Sequence, residues 1–139
     1  MKERESKYSK LELYEFVKEA SIYLKSQFNI SIDIDGVISQ RRYSELVWQR
    51  SLVVLYLRIM RQLDLWTIGF AIGGRNHATV IHLLKRAQKT KTSYHVMCVL
   101  QNNTPNVIEL MRELKFHKEK VKEIQDKLLT LRKLIPKNE

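Results

Sequence analysis

Asp64 to Lys85 reads DLWTIGFAIGGRNHATVIHLLK, and this stretch decides the fold. Asp64 is a good N-cap residue ahead of Leu65, Ile68 and Ile72, which fall at helical spacing. Gly73-Gly74 then stops that helix where a side chain would strain against a left-handed backbone. A second helix restarts at once from Arg75. Its apolar positions Val80, Leu83, Leu84 and Ala87 share one face, while Arg75, His77, Ala78, His82, Lys85, Arg86 and Lys89 cover much of the remaining surface. Two short helices joined by a glycine turn, the second with a polar and basic face, are the signature of a DNA-binding helix-turn-helix.

The residues inside this stretch carry a family resemblance. Leu65-Trp66-Thr67-Ile68-Gly69 followed by Gly73-Gly74-Arg75-Asn76-His77-Ala78-Thr79-Val80-Ile81-His82 resembles the C-terminal DNA-binding domain of the bacterial replication initiator DnaA. There a Leu-Pro-x-Ile-Gly segment leads into Gly-Gly-Arg-Asp-His-x-Thr-Val-x-His. Upstream, Gln40-Arg41-Arg42 and the helix around Arg50-Ser51 are similar to the family's Arg-rich loop and to the helix that begins near its Arg-Gln pair. The resemblance covers about residues 15 to 90 and implies a Trp-repressor-like helix-turn-helix.

The resemblance also implies roles. Arg42 matches an arginine that enters the minor groove, where a narrow A·T-rich groove concentrates negative potential around an inserted guanidinium. Asn76, His77, Ala78 and Thr79 match positions that meet base edges in the major groove, with His77 the first choice and Asn76 the second. Arg41, Arg50, Arg75, His82, Lys85 and Arg86 are the expected phosphate contacts, which set affinity and register without reading sequence. Asn76 stands where the family has Asp, Ala78 where it has Ser or Thr, Ser51 where it has Gln, and Trp66 where it has Pro. An amide donates as well as accepts, so the preferred DNA sequence is expected to shift.

Charge follows the same segment. The chain has 139 residues, 44% of them apolar, and a net charge of +10. Ile38 to Thr92 holds ten Lys and Arg against only Glu45 and Asp64, whereas residues 1 to 37 are near neutral and 93 to 139 carry a smaller excess. Concentrating the cations beside the helix-turn-helix favours a polyanionic partner, and the resemblance implies that this is double-stranded DNA.

Around this centre the spacing predicts an all-α protein: a bundle of about five helices with a long C-terminal heptad helix. Residues 1–9 form a charged flexible N-terminus, 10–92 the helix-turn-helix domain, and 93–139 a short helix plus the long one. Leu13, Phe16, Val17, Ala20, Leu24 and Phe28 mark an amphipathic helix over Lys10 to Phe28. Asn29 to Ile38 alternates like a strand but has no partner strand, and the family resemblance points instead to a loop and a short helix near Ile34 to Ser39. Ser44 is placed to cap a long helix reaching about Gln62, apolar around most of its circumference and therefore central. Tyr94 to Leu100 reads as a short helix packing against the body or against the last helix.

Pro105 opens the last helix. Leu110, Leu114, His117, Val121, Ile124, Leu128, Leu131 and Ile135 step by four and three, an a/d seam of roughly three and a half heptads. A parallel dimer would pair Glu113 with Lys118 favourably and Lys127 with Arg132 unfavourably, and would bury His117. A homodimer through residues 106–135 is the expectation, with packing on the N-terminal helix or on a foreign helix as alternatives.

Several classes are excluded. There is no Gly-x-x-x-x-Gly-Lys-Ser/Thr, so no nucleotide and no ATP-driven activity is expected, and no cofactor. No Ser/His/Asp, Cys/His or paired-carboxylate grouping suits catalysis, so the chain is not expected to be an enzyme. Asp33 and Asp35 lack a twelfth-position Glu for calcium, and His95 with Cys98 has only His117 as a further zinc ligand. The lone Cys98, the charged start and the absence of any apolar run near the ~18 residues of a membrane span point to a cytoplasmic protein; the resemblance implies a nucleoid-associated protein of a bacterium or phage. An interaction protein that recruits a partner through its C-terminal helix, with non-specific DNA binding, is the alternative function.

Overall fold

Leu52 to Leu57 are six consecutive buried residues, and a helix that is apolar all round must be wrapped by others. The computed structural model describes residues 6–134, except for the side chains of 105–107. It is all-helical: α1 (Lys10–Phe28), α2 (Ile34–Ile38), α3 (Ser44–Ile59), α4 (Leu65–Ala71), α5 (His77–Ala87), α6 (Lys91–Asn102) and α7 (Pro105–Leu134). The chain divides into two compact units, Met1–Asn102 and Asn103–Glu139. In the first, α1, α2, α4, α5 and α6 all pack against α3.

Each outer helix turns a stripe to that centre. α1 buries Leu13, Val17, Ala20 and Leu24, is capped by Ser9, whose hydroxyl accepts from Glu12 N at 3.1 Å, and ends at Asn29 in left-handed conformation. α5 buries Val80, Leu83 and Ala87. α6 buries Ser93, Val96 and Leu100, and Trp48 Nε1 donates to Ser93 Oγ at 3.0 Å, fastening α6 to α3. The sequence places a boundary after Thr92, whereas α6 belongs to the first unit through these contacts. Each fully buried Leu, Ile or Val stabilises by about 1.5–3 kcal/mol, so the α3 interface dominates the unit's stability.

Two helix starts differ from expectation. Ser44 is the first residue of α3, not its cap; Tyr43 occupies the cap position and makes no side-chain cap bond. α5 begins at His77 rather than Arg75, because Asn76 caps it. α3 also stops earlier than Gln62, at Ile59: Gln62 has φ 53, and Leu63 N returns to Leu57 O at 3.3 Å.

The second unit is the single helix α7. Leu110, Leu114, Val121, Ile124, Leu128 and Leu131 are each more than half exposed along it. No helix among the described residues is long and apolar enough to cross a membrane.

Candidate nucleic-acid interface

The turn between α4 and α5 is built by close backbone approach. Asp64 caps α4, accepting from Thr67 N at 3.2 Å. Gly69 O accepts from both Gly74 N at 3.0 Å and Arg75 N at 2.9 Å, and a Cβ on Gly69 would stand 2.1 Å from Arg75 O. Gly73 and Gly74 have φ 100 and 76, the left-handed region that favours glycine. A Cβ on Gly73 would stand 2.1 Å from Ile38 O, so the end of α2 lies directly against the turn.

That approach fastens the basic loop after α2 to the helix-turn-helix. Arg50 is only 2% exposed; its Nε donates to Val37 O at 2.9 Å, and its Nη2 donates to Gly36 O at 2.9 Å and Ser39 O at 2.8 Å. Arg75 reaches the same carbonyl from the other side, Nη2 to Ser39 O at 2.9 Å, while its Nη1 donates to Ile72 O. Gln40 Nε2 donates to Gly73 O at 2.8 Å. Three side chains from α3, the loop and the turn thus converge on Ser39 and Gly73. Arg41 and Arg42, just beyond, are exposed.

Two phosphate expectations change here. Arg50 is a scaffold residue: a guanidinium this buried satisfies the carbonyls at the C-terminal end of α2, where a cation also meets the negative end of the helix. Arg75 is half-buried and committed to Ile72 and Ser39, so it positions the loop before it can meet a ligand. Burial first, then the neighbouring charges of Arg75 and Arg42, lower the Arg50 pKa to about 10, and it stays cationic at neutral pH. Burial and then Arg42 lower Arg75 in the same direction. Gathering these cations raises the local positive potential, which an anion would relieve.

Arg42 and the first turns of α5 share one cleft. Gln40, Arg42, Val47, Arg50, Arg75, Thr79 and Leu83 line a volume of about 300 Å³. A neighbouring groove of about 320 Å³ is lined by Val47, Thr79, His82, Leu83, Lys85, Arg86 and Lys89. Val47, Thr79 and Leu83 border both, so loop and helix present a continuous basic surface.

Along α5, His77, Ala78, His82, Lys85 and Arg86 are exposed and Thr79 is half-buried. Asn76 is exposed, but its Oδ1 accepts from Thr79 N at 2.9 Å and Thr79 Oγ1 at 3.1 Å. Its oxygen is therefore spent on the cap, and its amide nitrogen is the group left to donate outward. The Thr79 hydroxyl proton is likewise turned to Asn76, which leaves its methyl as the outward group. The His77 ring lies on Trp66, centroids 4.7 Å apart and planes at 35°. This stack and the Gln40 to Gly73 bond are the features sequence reasoning missed. Trp66 in place of a proline was the only available signal for the first; nothing in the sequence marks the second.

The arrangement defines a helix-turn-helix with a basic, acid-free cleft. In sequence it is similar to the chromosomal replication initiator protein DnaA of Oenococcus oeni, 29% identical over 80 residues, which is 57% of this chain and 18% of the relative. It is also similar to DnaA of Thermodesulfovibrio yellowstonii, 34% identical over 62 residues, 45% of this chain and 14% of the relative. The chain spans less than a fifth of the length of these relatives, and the similarity relates a region of it to DnaA. No protein-family model matches the chain, and no solved structure does.

Proposed function

We propose that this chain is a sequence-specific double-stranded DNA-binding protein that reads the major groove with α5 and the minor groove with Arg42. One arrangement carries the reading: Arg42 and Thr79 border the same cleft, and the loop holding Arg42 is tied to the helix-turn-helix through Ser39 and Gly73. A loop fixed in this way reaches a second groove without a large ordering cost on binding. The partial similarity to DnaA agrees with it.

In this reading His77, steadied by Trp66, hydrogen-bonds a base edge, and Asn76 donates from its amide nitrogen. Ala78 and the Thr79 methyl meet thymine methyls. Arg41, His82, Lys85 and Arg86 take phosphates on either side, and Arg75 adds a cation beside the cleft. Footprinting of Arg42→Ala tests it. Protection of the major-groove positions on a DnaA-box-like duplex is retained and minor-groove protection is lost, with affinity down by about 1–3 kcal/mol. An unchanged footprint would remove Arg42 from the site.

The alternative, a recruiting protein whose DNA contact is non-specific, draws on one observation: the exposed apolar seam of α7. The two are compatible, because the seam and the basic cleft lie on separate units.

A further inference from the structure

α7 has 30 residues, about 45 Å of helix at 1.5 Å per residue. Leu110, Leu114, His117, Val121, Ile124, Leu128 and Leu131 follow the a/d period, with exposed Met111 and Leu134 at the edges of that seam and Phe116 and Leu129 outside it. A seam at that period suits another helix.

The edges of the seam are charged unevenly. The positions that flank it are Met111, Glu113, Lys118, Lys120, Gln125, Lys127, Arg132 and Leu134, four cations against one acid. The acids Glu109, Glu119, Glu123 and Asp126 lie outside the seam and its edges, and Glu123 reaches the edge residues Lys120 at 3.8 Å and Lys127 at 4.0 Å through exposed ion pairs. These edge positions choose the partner and its direction in a two-helix coil. A parallel second copy offsets its favourable Glu113–Lys118 pair by bringing Lys127 against Arg132 on both sides, and an antiparallel one brings Lys120 against Lys127. Self-pairing in either direction therefore opposes like charges, and it adds a buried His117.

We propose that α7 docks on a partner helix of another protein whose apolar seam is edged by Glu and Asp, in preference to a second copy of this chain. The partner's acids complete ion pairs with Lys118, Lys120, Lys127 and Arg132, while Leu114, Val121, Ile124 and Leu128 supply the apolar contact. This docking is independent of the DNA reading, because it uses none of the residues in the basic cleft.

The test uses the full chain and two synthetic 28-residue peptides. Both have Leu at every a and d position; one has Glu at every flanking position and the other Lys. Labelled peptide is titrated by anisotropy at fixed salt, and the chain's own mass is measured by sedimentation at the same concentrations. The expected result is a monomeric chain that binds the Glu peptide at least about tenfold more tightly than the Lys peptide, with Lys127→Glu plus Arg132→Glu removing most of that preference. Ile124→Ser plus Leu128→Ser abolishes binding of the Glu peptide and leaves the helicity of the first unit unchanged. A dimeric mass that these serine substitutions dissolve would overturn the proposal in favour of a second copy. Equal binding of the two peptides, or Glu-peptide binding that survives the serine substitutions, would overturn it as well, the last by reducing it to simple attraction between a polycation and a polyanion.

Discussion

Leu52 and Leu128 are the same side chain in opposite circumstances. Leu52 lies in α3 with no exposed surface, inside a shell of five helices; Leu128 lies on α7, about half exposed. The first unit uses most of its apolar residues for its own cohesion, leaving Leu11, Ile22, Tyr43 and Tyr94 scattered on a surface that presents cations beside α5. The second presents its apolar residues. One region is finished as a folded body and is suited to a polar, charged ligand, whereas the other offers the surface that folding ordinarily consumes.

The same substitution breaks or sharpens this contrast most strongly. Leu52→Ala is expected to cost about 2–5 kcal/mol of unfolding free energy by urea titration, whereas Leu128→Ala stays within about 0.5 kcal/mol in the isolated chain. A large effect at Leu128 would mean that α7 is part of the same cooperative body. Arg50→Met comes next, at about 3 kcal/mol, because it strands the carbonyls of Gly36, Val37 and Ser39. Were Arg50 a phosphate contact alone, that variant would weaken DNA binding and leave the urea midpoint in place.

Smaller effects separate recognition from scaffold. His77→Ala should lose about 1–3 kcal/mol on a specific duplex with unchanged stability, and Trp66→Ala should lose part of the same increment, recovered by Trp66→Phe. Asn76→Ala removes the α5 cap and costs about 1 kcal/mol of stability, measured by thermal unfolding. Lys85→Ala has the least effect on sequence preference: it weakens every duplex alike and reduces the salt slope of log K by about 1.

How much of this was legible in the sequence follows from the range of the interactions involved. The α4 cap at Asp64, the glycine turn and the burial of α3 are local or periodic features, and their residues announce them. Asn76 as a cap was also local, yet its place in a resembling motif drew attention to base contact instead. Arg50 shows the harder case. An arginine nearly two turns inside a helix that is apolar on all sides has little exposed surface available, but its true partners, 11 to 14 residues upstream, depend on how α2 meets α3. Gln40 and Gly73 are 33 residues apart and carry no mutual pattern at all. The long seam of α7 was plain from its spacing; what it binds depends on the charges at its edges.

Sequence-specific recognition by the first unit is the central proposal. The deciding measurement is a titration of the full chain against a duplex carrying a DnaA-box-like site and against a scrambled duplex of the same length and composition, at one salt concentration. A preference of at least about tenfold for the site is the predicted result. Equal affinity for the two duplexes would contradict it and leave a basic domain that holds DNA without reading it.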